Sequence, residues 1–256
     1  MNDLMSLGIH RLWKKNFINI SKKLMTPYTF DLFGNDHILS IILIIIFYVL
    51  FLCFNEKIGI KNKSEIFPIV LSFIIISLDI SEDTVRYITG YYSIEKDLPL
   101  QLCTIGIYVA AVALLKKNQI AFELIFYWGL VGASQAILTP DSELFELKIF
   151  FIYSQIYHSA LIFSVLWLAI KHNMRIKLES IPKVVLITNL VVVVISSINY
   201  LLDSNYMFLR VRPNSVSPFL IGDWPIYIIT VQLFSIVVLA LFIKIQDLFL
   251  IPMSSK

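Results

Sequence analysis

The chain has 256 residues, of which 58% are hydrophobic and only 15% charged. That balance leaves no room for a soluble domain and fits one integral membrane domain. A formal charge of +3, with no basic stripe interleaved with aromatics, gives no nucleic-acid signal.

In chain order, the first 37 residues form a basic, amphipathic lead-in. Trp13, Phe17, Ile20 and Leu24 fall on one helical face and Arg11, Lys14, Lys15 and Lys22 on the other. This is the pattern of an interfacial helix lying on anionic lipid, against which stands a packed helix with a solvated basic face. A cleaved signal peptide is not expected here, because no short apolar stretch with a small-residue cleavage site is present.

Seven apolar runs follow between residues 38 and 245: Ile38 to Phe54, Ile66 to Ile80, Leu98 to Leu115, Ile120 to Leu138, Ile149 to Ile170, Val184 to Leu202 and Trp224 to Ile245. Each approaches the ~20 residues that cross ~30 Å of hydrocarbon. The second is the weakest, with Pro68 near its start and Asp79 near its end. The expectation is an all-α fold: a polytopic bundle of seven transmembrane helices in a single domain over residues 1–256, preceded by the interfacial helix.

Loop charges set an expected orientation. Loops after the first, third and fifth runs carry nine basic residues: Lys57, Lys61, Lys63, Lys116, Lys117, Lys171, Arg175, Lys177 and Lys183. The other three loops carry five: Arg86, Lys96, Lys148, Arg210 and Arg212. The positive-inside rule then places the N-terminus outside and the C-terminus in the cytoplasm of a cell membrane. The basic lead-in pulls the other way, but most of its charges lie more than ~15 residues from the first run, where the rule weakens.

Polar residues collect at the ends of the runs that this topology turns outward. Asp79, Gln101, Cys103, Gln135 and Asn199 lie there, beside loops holding Asp141, Tyr206, Arg210 and Arg212. An unsatisfied polar group in lipid costs several kcal/mol, so clustering on one side suggests a single cavity. In Leu98-Pro99-Leu100-Gln101-Leu102-Cys103, Pro99 suits the first helical turn. Cys103 then lies about one turn inside a helix N-terminus, where the helix dipole favours a thiolate, desolvation opposes it, and a plain buried hydrophobe is the competing reading. The two cysteines, Cys53 and Cys103, sit near opposite faces and are expected as free thiols.

His158 is the histidine well inside a run, with Ser154 four residues before it on the same face. Ionisable residues at such depth usually face the bundle interior. A Cys–His pair is the minimal equipment for acyl transfer through a thioester, while a histidine holding two helices together is the plainer alternative. Asp79, Glu82, Asp83 and Arg86 would line one face if the second helix continues, with an Asp83–Arg86 pair; Asp79 would orient a histidine or meet Arg210 or Arg212. Gly129, Gly132 and Ala136 form a small-residue stripe, as do Cys103, Gly106, Ala110 and Ala113. Arg210 and Arg212, flanked by Tyr206 and other apolar neighbours, suit a lipid phosphate or simple interfacial anchoring. No metal is expected, since Cys103 and His158 are too few ligands, and no cofactor motif is present.

The stretches Leu98 to Cys103, Gly132-Ala133 to Asp141, Asn205 to Pro213 and Gly222-Asp223-Trp224-Pro225-Ile226-Tyr227, with Phe33-Gly34-Asn35-Asp36-His37 ahead of the first run, resemble the YwaF-type bacterial integral membrane proteins. These are related to the transmembrane protein 164 branch of animals. The resemblance implies a seven-helix fold and, through the animal branch, lipid acyl transfer by a cysteine and a histidine, for which Cys103 and His158 stand at the matching positions. Two places depart from the pattern: the four-residue separation of Ser154 from His158, and Asp223 in the tryptophan motif. The functional expectation is a phospholipid acyltransferase or acyl hydrolase with membrane lipids as partners. Its rivals are a transporter or receptor for a small polar ligand, and a structural subunit of a membrane complex.

Overall fold

The computed structural model describes residues 23–54 and 66–249. The interfacial helix expected over the lead-in, and Lys57, Lys61 and Lys63, lie outside the described residues. The described residues form helical rods matching each apolar run: α1 Asn35–Phe54, α2 Ile66–Thr89, α3 Leu102–Lys116, α4 Gln119–Leu138, α5 Lys148–Lys171, α6 Ile181–Leu202 and α7 Ile226–Phe249. Five of them (α1, α4, α5, α6 and α7) are long and apolar enough to cross a membrane.

The other two explain themselves physically. α2 runs well past Ile80, but its second half carries Asp79, Glu82, Asp83 and Arg86. α3 starts later than its apolar run, because Pro99 lies two residues before the N-cap Gln101 and not in the first turn. Proline disfavours helical dihedrals at the residue before it, and residues 98–100 close a three-residue turn through Leu100 N–H and the Leu98 carbonyl at 2.6 Å. At 15 residues, α3 reaches only ~22 Å.

α4 and α5 form the centre of the bundle. α2, α3 and α5 pack on one another, α4 sits against α3 and α5, α1 flanks α5, and α6 and α7 flank α4. Phe122, Ile125, Leu161 and Leu168 are almost fully buried in this centre, whereas α1, α6 and α7 expose leucine, isoleucine and valine along their outer faces. A soluble protein rarely shows contiguous apolar surface on that scale; hydrocarbon makes it favourable. A two-residue connection joins α3 to α4: Lys117 takes the left-handed C-cap conformation at φ 50°, and Asn118 caps α4 by accepting from Ala121 N–H at 2.9 Å. α3 and α4 are therefore antiparallel, α4 and α5 likewise, and α3 and α5 run in the same direction.

α4 is not uniform. Its middle, Trp128–Ala133, is a π-helical segment. Gly129 and Gly132 lie in it, and a methyl added to Gly129 would stand 3.5 Å from Val165 while one on Gly106 would stand 3.7 Å from Leu161. The small-residue stripes are thus the surfaces where α3, α4 and α5 meet.

The loop-clasped end and its Cys–His junction

Three loops and the segment before α1 meet at one end of the bundle, the end to which the polar residues were assigned. His37 is fully buried there. Its Nδ1 accepts from Phe33 N–H at 3.1 Å, so Nε2 carries the proton and donates to the Ile137 carbonyl at 2.8 Å. The ring lies against Phe30, Phe33 and Phe151 and pins the start of α1 to the end of α4. Residues before α1 are tied in further by the Tyr28 N–H to Glu146 carbonyl bond at 3.0 Å.

Arg86 is the charged hub of this end. It pairs with Glu82 at 3.1 Å, Glu146 at 3.1 Å and Asp97 at 3.5 Å, donates to the Leu144 carbonyl at 3.0 Å, and lies 4.0 Å over the Phe150 ring. The expected Asp83–Arg86 pair gives way to Glu82, one full turn back, which presents its carboxylate to the guanidinium fork. Burial lifts the Asp97 carboxyl above its ordinary range, against the Ser93 N–H and Arg86, which hold it down. Burial also lifts Asp141, which serves as a cap, accepting from Glu143 N–H at 3.1 Å.

The loop before α7 is stapled to α6. Asn199, fully buried, donates to the Tyr206 carbonyl at 2.9 Å and accepts from Tyr206 N–H at 2.8 Å and from the Ser204 hydroxyl at 2.9 Å. Tyr206, also fully buried, sends its hydroxyl to the Ile94 carbonyl at 2.6 Å and accepts from Leu98 N–H at 2.9 Å. Gln101 accepts from Met207 N–H at 2.8 Å, and Gln135 accepts from Ser217 at 3.3 Å and Thr139 at 3.4 Å. Arg210 is held by Asp203 at 2.7 Å and by the carbonyls of Asn199 and Ser204. Arg212 is exposed. Asp79, expected near a histidine or an arginine, accepts instead from the Tyr108 hydroxyl at 2.7 Å and ties α2 to α3. Asn199→Ala would strip partners from three groups in this staple, each worth roughly 1–3 kcal/mol when left unsatisfied. The expected result is a fall of at least about 5 °C in the thermal midpoint of the detergent-solubilised protein, with a smaller fall for Ser204→Ala. An unchanged midpoint in Asn199→Ala would show that the staple contributes nothing to stability.

Cys103 and His158 lie beneath this clasp. Both cysteines are free thiols; Cys53 is exposed and Cys103 partly buried in the first turn of α3. A methyl on Gly132 of the π segment would stand 4.0 Å from Cys103 Sγ. Gly106 faces Leu161, and Gly129 faces Leu161 and Val165. Three residues toward the clasped end from Gly106 is Cys103, from Leu161 is His158, and from Gly129 is Gly132. Cys103 therefore lies against Gly132 of α4, and His158 lies one turn from Leu161 on α5, which runs in the same direction as α3 and packs on it. His158 is buried, and its Nδ1–H donates to the Ser154 carbonyl at 2.7 Å, with the Ser154 hydroxyl at 3.3 Å. Nε2 is thereby left unprotonated and has no hydrogen-bond partner among the described residues.

Sequence reasoning quoted His37 in a motif but gave it no role, and it missed the Asp97 and Glu146 partners of Arg86 and the π segment. A local signal existed for the last alone, in the glycines at 129 and 132. No group of three or more metal-binding side chains occurs among the described residues.

No curated protein and no solved structure matches the chain. The model of the TMEM164 family matches residues 32–245, nearly the whole helical region with the clasped loops, Cys103 and His158 inside it, and the chain is a membrane protein of that family.

Proposed function

We propose that the protein is a lipid acyltransferase or acyl hydrolase working at the clasped end of a seven-crossing bundle of the YwaF type. The observation that carries this reading is the His158 geometry: a buried imidazole whose Nδ1–H is fixed by the Ser154 carbonyl, on a helix packed against the one that carries the Cys103 thiol. A nucleophile and an oriented base on adjacent rigid helices are what thioester chemistry needs.

In the proposed reaction, His158 Nε2 takes the Cys103 proton as sulfur attacks the carbonyl carbon of a lipid ester. The tetrahedral oxyanion accepts from the Nε2–H groups of Gln101 or Gln135, whose Oε1 atoms are already engaged. The ester C–O bond breaks, His158 returns the proton to the leaving alkoxide, and the acyl group remains on Cys103 as a thioester. A hydroxyl of an acceptor lipid, or water, deprotonated by His158, then attacks the thioester and restores the thiol. Arg212, exposed at this end, would meet the headgroup phosphate, because Arg210 is engaged by Asp203. Transfer of a labelled acyl chain between lipids by the purified, reconstituted protein tests this, and its complete absence across donor lipids would remove the reading.

The clasped end faces outward in this proposal. The opposite end carries Lys116, Lys117, Lys171, Arg175, Lys177 and Lys183. A cysteine placed at Lys177 should escape impermeant thiol reagents in intact cells, and one at Ser215 should react. The reverse labelling would turn the site to the cytoplasm.

A further inference from the structure

A cavity of about 1290 Å³ runs between α1, α2 and α5, on a different face of α5 from His158. Its walls are almost wholly apolar, with Phe51, Phe163 and Trp167 toward the far end and Lys23, Asp36 and Lys148 at the mouth. One feature of the wall is costly. Gln155 is 3% exposed, lines the cavity, and its Nε2 has no hydrogen-bond partner. Its Oε1 reaches the Ser40 hydroxyl at 3.4 Å, while that hydroxyl donates to the His37 carbonyl at 2.7 Å. If the amide is turned over, Nε2 gives one hydrogen to Ser40 and keeps the other. Either orientation leaves a buried N–H donor unmet in the wall of an apolar groove, which is unfavourable unless an acceptor arrives.

We propose that this groove holds one phospholipid, with an ester carbonyl accepting from Gln155 and the phosphate at the Lys23–Lys148 mouth. Dimensions and charge fit such an occupant. Lys148 and Gln155 are seven residues apart on α5, a drop of ~10 Å from the charged mouth to the free amide. Gln155 to Trp167 adds twelve residues, ~18 Å, which is close to one leaflet of a ~30 Å hydrocarbon core and so to one acyl chain. At the mouth Asp36 takes Lys148 at 2.6 Å, which leaves two lysines against one carboxylate and a net positive charge for an anionic headgroup. A wholly apolar partner helix would leave the Gln155 donor unmet. The groove is separate from the Cys103–His158 junction, and its occupancy does not depend on acyl transfer.

The test is photo-crosslinking and binding in the full-length protein, reconstituted in vesicles of phosphatidylethanolamine and phosphatidylglycerol that carry a phospholipid with a diazirine in one acyl chain. Crosslinks are expected on α1 and α5 along the groove, at peptides containing Phe51 and Phe163. Gln155→Leu should weaken lipid retention roughly fivefold, as expected for one lost hydrogen bond. The same change should raise the thermal midpoint of the delipidated protein, because an unmet buried donor has been removed. Ala160→Trp, which fills the groove and leaves Gln155 in place, should abolish groove crosslinks while labelling of α6 and α7 persists. Uniform labelling of all apolar faces, or groove crosslinks unchanged in both variants, would overturn the proposal. So would protein–protein crosslinks placing residues 1–22 of the same chain in the groove, which would make that segment the occupant.

Discussion

Replacing Arg86 with methionine is expected to cost more stability than any other single change at the clasped end, about 3–5 kcal/mol. The guanidinium is almost completely buried and answers Glu82, Asp97 and Glu146, which are themselves largely withdrawn from water. Removing the cation leaves three carboxylates confined together, and their repulsion and lost hydrogen bonds outweigh the easier burial of methionine. Arg86→Lys should be an intermediate, since one ammonium cannot satisfy three carboxylates and the Leu144 carbonyl at once. The informative rescue is Arg86→Met combined with Glu82→Gln, Asp97→Asn and Glu146→Gln. Neutralising the whole hub should recover monodisperse protein in detergent chromatography, because exchanging a complete buried ion network for neutral groups is often tolerated when breaking it is not. A monodisperse Arg86→Met protein with an unchanged thermal midpoint would refute the hub.

The contrast between local and distant partners also explains what could be read from the sequence. Hydropathy located every rod to within a few residues at most ends, because lipid-facing and core-facing positions are both apolar and long runs stand out. It misjudged α2 and α3, where polar residues belong to the helix in one case and proline delays it in the other. Ser154 and His158 were legible as one face because i and i+4 are neighbours on any helix. Arg86 was read with Asp83, three residues away, where the equally local Glu82, one full turn back, is the partner; its other partners, Asp97 and Glu146, are remote in sequence and only the folded loops bring them in. His37 had no legible role, for its acceptor is a backbone carbonyl 100 residues away, and carbonyls carry no sequence signature. Asn199 and Tyr206 were recognised as members of the polar cluster, yet both are spent in holding the loop, which the residue types alone do not reveal.

At the junction, Cys103→Ala and Cys103→Ser are each expected to lower acyl transfer by at least about 10³-fold, while Cys53→Ala leaves it unchanged. Serine is the sharper of the two substitutions. It preserves the shape against Gly132, so a cysteine that only fills space would tolerate it, whereas a nucleophile would not, because the hydroxyl has a far higher pKa and is the weaker nucleophile. His158→Gln should slow turnover by about 10²–10⁴-fold with folding largely kept, since the carboxamide keeps a polar group of similar size in the helix junction but offers no titratable base. Ser154→Ala separates the two partners of Nδ1. The carbonyl at 2.7 Å survives that change and the hydroxyl at 3.3 Å does not, so activity should fall by less than about tenfold. The intermediate supplies the direct readout: mass spectrometry of protein quenched during turnover should show one acyl adduct, labile to hydroxylamine, on the peptide containing Cys103. Retained turnover in Cys103→Ala would exclude a covalent role, and an adduct on Cys53 alone would move the nucleophile to the opposite end of the bundle, away from the only buried histidine with a free ring nitrogen among the described residues.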